Sequence, residues 1–134
     1  MSEEICNHCF GDDAAARDES WSAFSGYLAL LFEPGDVIEI RLVWPETKKA
    51  RHYWRTLDTL ADVHDELCQL NDDGANVYYG FCPRTAEGGT KTEHVEHARA
   101  VCLDIDKGCT TDELLSRVEA AGLPEPSAAI ASGG

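Results

Sequence analysis

Apolar and polar positions divide this chain into short elements. Trp21, Phe24, Leu28 and Leu31 recur at helical spacing, which predicts a helix over 20–32 with Ser20 as its cap. Glu33-Pro34-Gly35-Asp36 reads as a turn. Residues 37–43 alternate, with Ile38, Ile40 and Leu42 on one side of a strand. A hairpin connection over 45–49 leads to a returning strand over 50–56. Leu60, Val63, His64, Leu67 and Leu70 form the stripe of a second helix over 58–70, and Gly74 lies just past its end. Val77, Tyr79 and Phe81 alternate in a third strand, 77–82, and a polar loop with a flexible Gly88-Gly89 follows over 83–97.

The run Ala-Val-Cys-Leu-Asp-Ile-Asp at 100–106 reads as a fourth strand, with Val101, Leu103 and Ile105 turned to the core. Thr110 and Glu113 make the capping box of a helix ending near Ala121, stopped by Gly122 and Pro124. Residues 127–132 begin a last strand, and residues 1–19 form an acidic, weakly structured leader. The order is α-β-β-α-β-β-α-β. It predicts an α+β domain over 20–134, with helices packed on a mixed sheet and a right-handed crossover between its last two strands.

Composition narrows the class. With 134 residues, 43% hydrophobic and 27% charged, the chain can bury one ordinary core. No apolar run nears the roughly 20 residues of a membrane span, and the acidic start has no secretory signal core. These features predict a cytoplasmic protein whose six cysteines stay reduced. A net charge of −14 fits a solubility role and runs against nucleic-acid binding, which leans on Lys and Arg. The charge is uneven, however: residues 41–55 hold Arg41, Lys48, Lys49, Arg51 and Arg55 against Glu46 alone.

Asp104 and Asp106 are the sharpest chemical signal. On a strand they share a face, roughly 6–7 Å apart, a spacing at which two carboxylates grip Mg²⁺ or Mn²⁺ and leave positions for phosphates. The competing reading is a pair that only caps a turn. Arg51, Tyr53 and Arg55 would share one face of the second strand and could stack a base and hold phosphates. Alternatively they form a solvated hairpin face, with Trp54 packed on Ile40 and Leu42. Arg84, after Cys82-Pro83, is placed to meet a triphosphate bidentately or to be a plain surface arginine. Cys6-x-x-Cys9 is half of a zinc spacing and lacks a second such pair; His94-x-x-His97 with Cys102 or Cys109 could complete a site only if the fold brings them together, so zinc is not the expectation. There is no P-loop, dinucleotide glycine pattern or nucleophile elbow.

Four segments, in order, resemble one family. They are Phe-Glu-Pro-Gly-Asp-Val-Ile-Glu-Ile-Arg at 32–41, Asn-Val-Tyr-Tyr-Gly-Phe-Cys-Pro-Arg at 76–84, Val-Cys-Leu-Asp-Ile-Asp at 101–106 and Glu-Ala-Ala-Gly-Leu-Pro-Glu-Pro-Ser at 119–127. Together they resemble the amino-terminal half of the phage and plasmid DNA primase/polymerases of the archaeo-eukaryotic primase superfamily, RepB-like primases included. The resemblance implies an RRM-like core and catalytic metals on Asp104 and Asp106. It implies nucleotidyl transfer from nucleoside triphosphates on a single-stranded DNA template, with a helicase as downstream partner. Arg84 would then bind nucleotide, and Arg51, Tyr53 and Arg55 would touch template. The family's histidine and third carboxylate are expected beyond Gly134, so this chain alone is expected to be an inactive part of the catalytic domain. A non-catalytic replication module and an unrelated Asp-x-Asp transferase are the competing functions.

Overall fold

The computed structural model describes residues 2–4, 14–105 and 108–130. The chain divides into two compact units, Met1–Val101 and Cys102–Gly134. The architecture is α+β. In the first unit, β1 (Ser2–Glu4), α1 (Ala14–Leu31), β2 (Ile38–Val43), β3 (Ala50–Arg55), α2 (Ala61–Asp72) and β4 (Asn76–Gly80) follow in order. The sheet order is β1-β4-β2-β3 and every ladder is antiparallel. The second unit carries α3 (Thr111–Ala120).

The β2 alternation sets the fold. Ile38, Ile40 and Leu42 are fully buried and join Val77 and Tyr79 of β4 under Leu28, Leu60, Val63 and Leu67 of the helical side. Burying each such side chain contributes about 1.5–3 kcal/mol. Tyr79 is held further by its hydroxyl, which donates to Tyr27 Oη at 2.7 Å. Residues facing each other across an antiparallel ladder share a face of the sheet. The pairs Ile38↔Arg55, Ile40↔Tyr53 and Leu42↔Arg51 therefore place Arg51, Tyr53 and Arg55 on the helix side. Glu39↔Trp54, Arg41↔His52 and Arg41↔Tyr78 occupy the opposite face.

Several boundaries move from those expected, each for a local reason. Helix α1 starts at Ala14, within the segment read as a leader, because Ala14-Ala15-Ala16-Arg17 are strong helix formers that carry it past Ser20. Helix α2 starts three residues later than expected, at Ala61. Thr56 Oγ1 donates to Asp58 at 2.6 Å, and the Thr56 amide donates to Thr59 Oγ1 at 2.9 Å, holding 56–59 as a turn. The capping box of α3 forms as expected, with Glu113 N donating to Thr110 Oγ1 at 3.2 Å and Thr110 N to Glu113 Oε2 at 2.8 Å.

Two expected strands are not formed. Residues 101–105 have no regular structure, and Val101, Leu103 and Ile105 are 89%, 59% and 37% exposed rather than in the core. The outer edge of β4, where such a strand would pair, is taken by Ser2–Glu4. Residues 127–130 likewise form no strand, and 131–134 lie outside the described residues. Without these two strands the described sheet is antiparallel rather than mixed, and the β-α-β crossover is absent from it. Among the described residues no helix is long and apolar enough to cross a membrane.

A titratable group sits in the helical layer. His64 of α2 is buried, edge-on to Trp21 at 5.0 Å and stacked on Phe24 at 6.5 Å, with Cys68 Sγ 3.5 Å from its Nε2. Burial lowers its pKa from the usual 6.5, with Arg17 adding to the effect and Asp65 opposing it. The same burial pushes the Cys68 thiol up to about 11, so it stays protonated. Elsewhere, the Arg99 guanidinium grips Asp36 at 2.6 and 2.9 Å and holds its carboxyl below the usual 3.8. Both groups bind protons less readily folded than unfolded, so both oppose folding in acid. Stability is expected to fall as pH drops below about 6.5, where unfolded His64 takes up a proton, and to fall again below 3.8 as Asp36 titrates. Urea midpoints measured from pH 7.5 to 3 test this. A flat profile between pH 7 and 5, or the same slope in His64→Gln, would refute the histidine's part.

Candidate functional site

The open face of the sheet carries a buried carboxylate ringed by two arginines and a histidine. Glu39 of β2 is 1% exposed. Its Oε1 accepts from Arg41 Nη2 at 2.9 Å and lies 3.1 Å from His52 Nδ1, and its Oε2 lies 2.5 Å from Arg84 Nη2. β2 presents Glu39 and Arg41 two residues apart on one face, β3 brings His52 opposite Arg41, and β4 delivers the chain to Arg84. Gly80 makes room, because a Cβ there would lie 3.3 Å from both Arg84 Nη2 and Glu39 Cβ.

Segment 83–96 folds back over this face. Arg84 bridges Val37 on one side and Val95 on the other, with Arg84 N donating to Val37 O at 2.8 Å and Thr85 N to His94 O at 2.8 Å. A pocket of about 370 Å³ results, lined by Glu39, Arg41, Gly80, Arg84, Thr90, Thr92 and Val95. Arg41 and Arg84 outnumber the single carboxylate there. Their Nε–H groups are buried and donate to no protein group. The wall of the pocket thus carries net positive charge, and that balance suits a phosphate or carboxylate group, which guanidinium groups meet with charge-assisted hydrogen bonds.

The residues singled out from sequence fare differently. Arg84 lies in the pocket. Arg51, Tyr53 and Arg55 are on the other face: Tyr53 Oη donates to Glu66 at 2.7 Å, Arg51 Nη1 meets the same carboxylate at 3.1 Å, and Arg55 Nη1 donates to Trp54 O at 2.8 Å. They border the helical layer rather than an open sheet face, because their ladder partners are the core residues of β2. Trp54 does not pack on Ile40 and Leu42, since odd and even positions of β3 point oppositely. It stacks on His52 at 5.8 Å. Asp104 is exposed in irregular chain, and Asp106, Cys6 and Cys9 lie outside the described residues.

Among the described residues no three His, Cys, Asp or Glu side chains gather to hold a metal ion. Asp104 is one of the two expected donors, and its partner Asp106 lies outside the described residues.

Glu39, Arg41, His52, Thr90 and Thr92 are site residues that the sequence pattern did not single out. The available signal was the charged pair Glu39-x-Arg41 interleaved with the apolar Ile38, Ile40 and Leu42. No family model, curated protein or solved structure matches this chain.

Proposed function

We propose that this chain belongs to a nucleotidyltransferase of the primase-polymerase class and that its pocket receives the phosphates of a nucleoside triphosphate. The observation that carries the reading is the charge balance of the pocket wall, where Arg41 and Arg84 stand against the single carboxylate of Glu39. Arg84 is also the residue whose place after β4 offers it to a triphosphate. In nucleotidyl transfer, charge accumulates on the phosphates as the α-phosphate is attacked. Two fixed guanidinium groups offset that charge and hold the phosphate chain in one orientation. Glu39 keeps both arginines extended towards the pocket, so little reorganisation is needed when the anion arrives. In this reading Mg²⁺ or Mn²⁺ belongs to Asp104 and Asp106, and single-stranded DNA is the template.

A second reading, a non-catalytic nucleotide-binding or nucleic-acid-binding module of replication, is favoured by the exposed, irregular placement of Asp104. One experiment separates the two. Primer synthesis on single-stranded DNA with Mn²⁺ is measured for the natural protein, beside Asp104→Asn/Asp106→Asn. Synthesis by the parent and its loss in the double variant support the transferase. Nucleotide binding without synthesis supports the module, and equal synthesis in both proteins removes the metal assignment.

A further inference from the structure

The segment around Gly88-Gly89 is not the flexible loop its composition predicts. Gly88 and Gly89 have φ of +75° and +112°, values open to glycine and strained for other residues. Both are packed tightly. A Cβ on Gly88 would come within 2.9 Å of the Trp54 ring, and one on Gly89 would collide with the His94 ring. Trp54 Nε1 donates to Gly89 O at 3.2 Å, across 35 residues of chain. Arg84 Nη1 donates to Lys91 O at 3.2 Å, and the Lys91 amide donates to His94 Nδ1 at 3.2 Å. The turn is thus pinned from the sheet at Trp54 and Arg84 and from within at His94. Between these pins, Thr90 and Thr92 stand on the pocket wall that also carries Arg41 and Arg84.

We propose that the Gly88–Thr92 turn is the second wall of a polyphosphate cradle and that Trp54 is the positioning residue that holds it in place. This rests on the pocket being the phosphate end of a nucleotide site. Arg41 and Arg84 supply charge from the sheet. Thr90 and Thr92 supply hydroxyl donors from the turn, and both are exposed on the pocket wall. Donors from two separate elements suit a ligand with several phosphoryl oxygens better than a single carboxylate. The volume of about 370 Å³ lies within the range of small-ligand sites. Trp54 touches the turn through its indole N–H and ring face, so its effect on the ligand is indirect.

The test is calorimetric titration of the full chain with inorganic tripolyphosphate at fixed ionic strength, alongside urea unfolding. Trp54→Phe keeps a ring and loses the N–H donor. Thr90→Val/Thr92→Val removes the hydroxyls at exposed positions and leaves the fold intact. Each variant is expected to bind about 3–10-fold more weakly, the value of one or two neutral hydrogen bonds, with the double threonine variant's urea midpoint unchanged. If both variants bind like the parent while Arg41→Ala weakens binding, the cradle is overturned and the arginine pocket stands. If the parent itself does not bind at millimolar tripolyphosphate, the cradle and the phosphate reading of the pocket both fall.

Discussion

Arg84→Ala is expected to weaken binding of a nucleoside triphosphate about 10–100-fold, the loss that follows removal of charge-assisted hydrogen bonds worth about 1.5–3 kcal/mol. Arg84 has two tasks in the pocket. Its Nη2 pairs with Glu39 and its Nη1 holds the Lys91 carbonyl, so the guanidinium joins the sheet to the turn above it. Arg84→Lys should recover only part of the affinity. An ammonium group is a point charge and does not reproduce a planar fork spanning two fixed acceptors. Arg51→Ala is the matching control, because Arg51 lies on the helix side and meets Glu66 and Tyr53. Calorimetry at constant salt measures all three. Equal affinity in Arg84→Ala and the parent would remove the pocket from the nucleotide site; a large loss in Arg51→Ala would place the ligand on the other face.

Glu39→Ala is expected to cost about 3 kcal/mol of folding stability, a large share of the roughly 5–15 kcal/mol typical of a domain. A carboxylate 1% exposed has been taken almost wholly out of water, and the loss is balanced by Arg41, His52 and Arg84 around it. Removing it leaves Arg84, only 12% exposed, beside Arg41 with no anion between them. The estimate takes the lower end of the range for broken buried pairs, since the Arg41 and His52 side chains are 33% and 26% exposed and partly screened. Glu39→Gln should lose less, because an amide oxygen still accepts one hydrogen bond. Urea midpoints give both values. Glu39→Ala with the parent's midpoint would show that the carboxylate is not an anchor of this face.

The sequence was legible where one segment carries its own reason to fold. The β2 alternation, the α2 stripe ending before Gly74 and the Thr110–Glu113 box depend on neighbours within a few residues. The run 100–106 misled because alternation makes a strand only if an edge is free to pair, and Ser2–Glu4 pairs with β4. Arg84 could be singled out from its position after a strand, but its partners could not. Glu39 and Arg41 read as the ordinary polar side of a strand until segment 83–96 folds over them. Likewise, Arg51, Tyr53 and Arg55 were correctly grouped on one face, whereas the face they occupy follows from cross-strand register with Leu42, Ile40 and Ile38.

That register has a bearing on how the protein behaves in a crowded solution. β3 is an outer strand of the described sheet, six residues long. An outer strand offers unpaired backbone groups to any other extended chain, and long charged side chains are a common guard against such pairing. Arg51 and Arg55 lie at intervals along this edge, with Lys48 and Lys49 at its hairpin end. The basic cluster that first suggests a nucleic-acid contact thus also stands where such a guard is needed, along the unpaired edge of the described sheet.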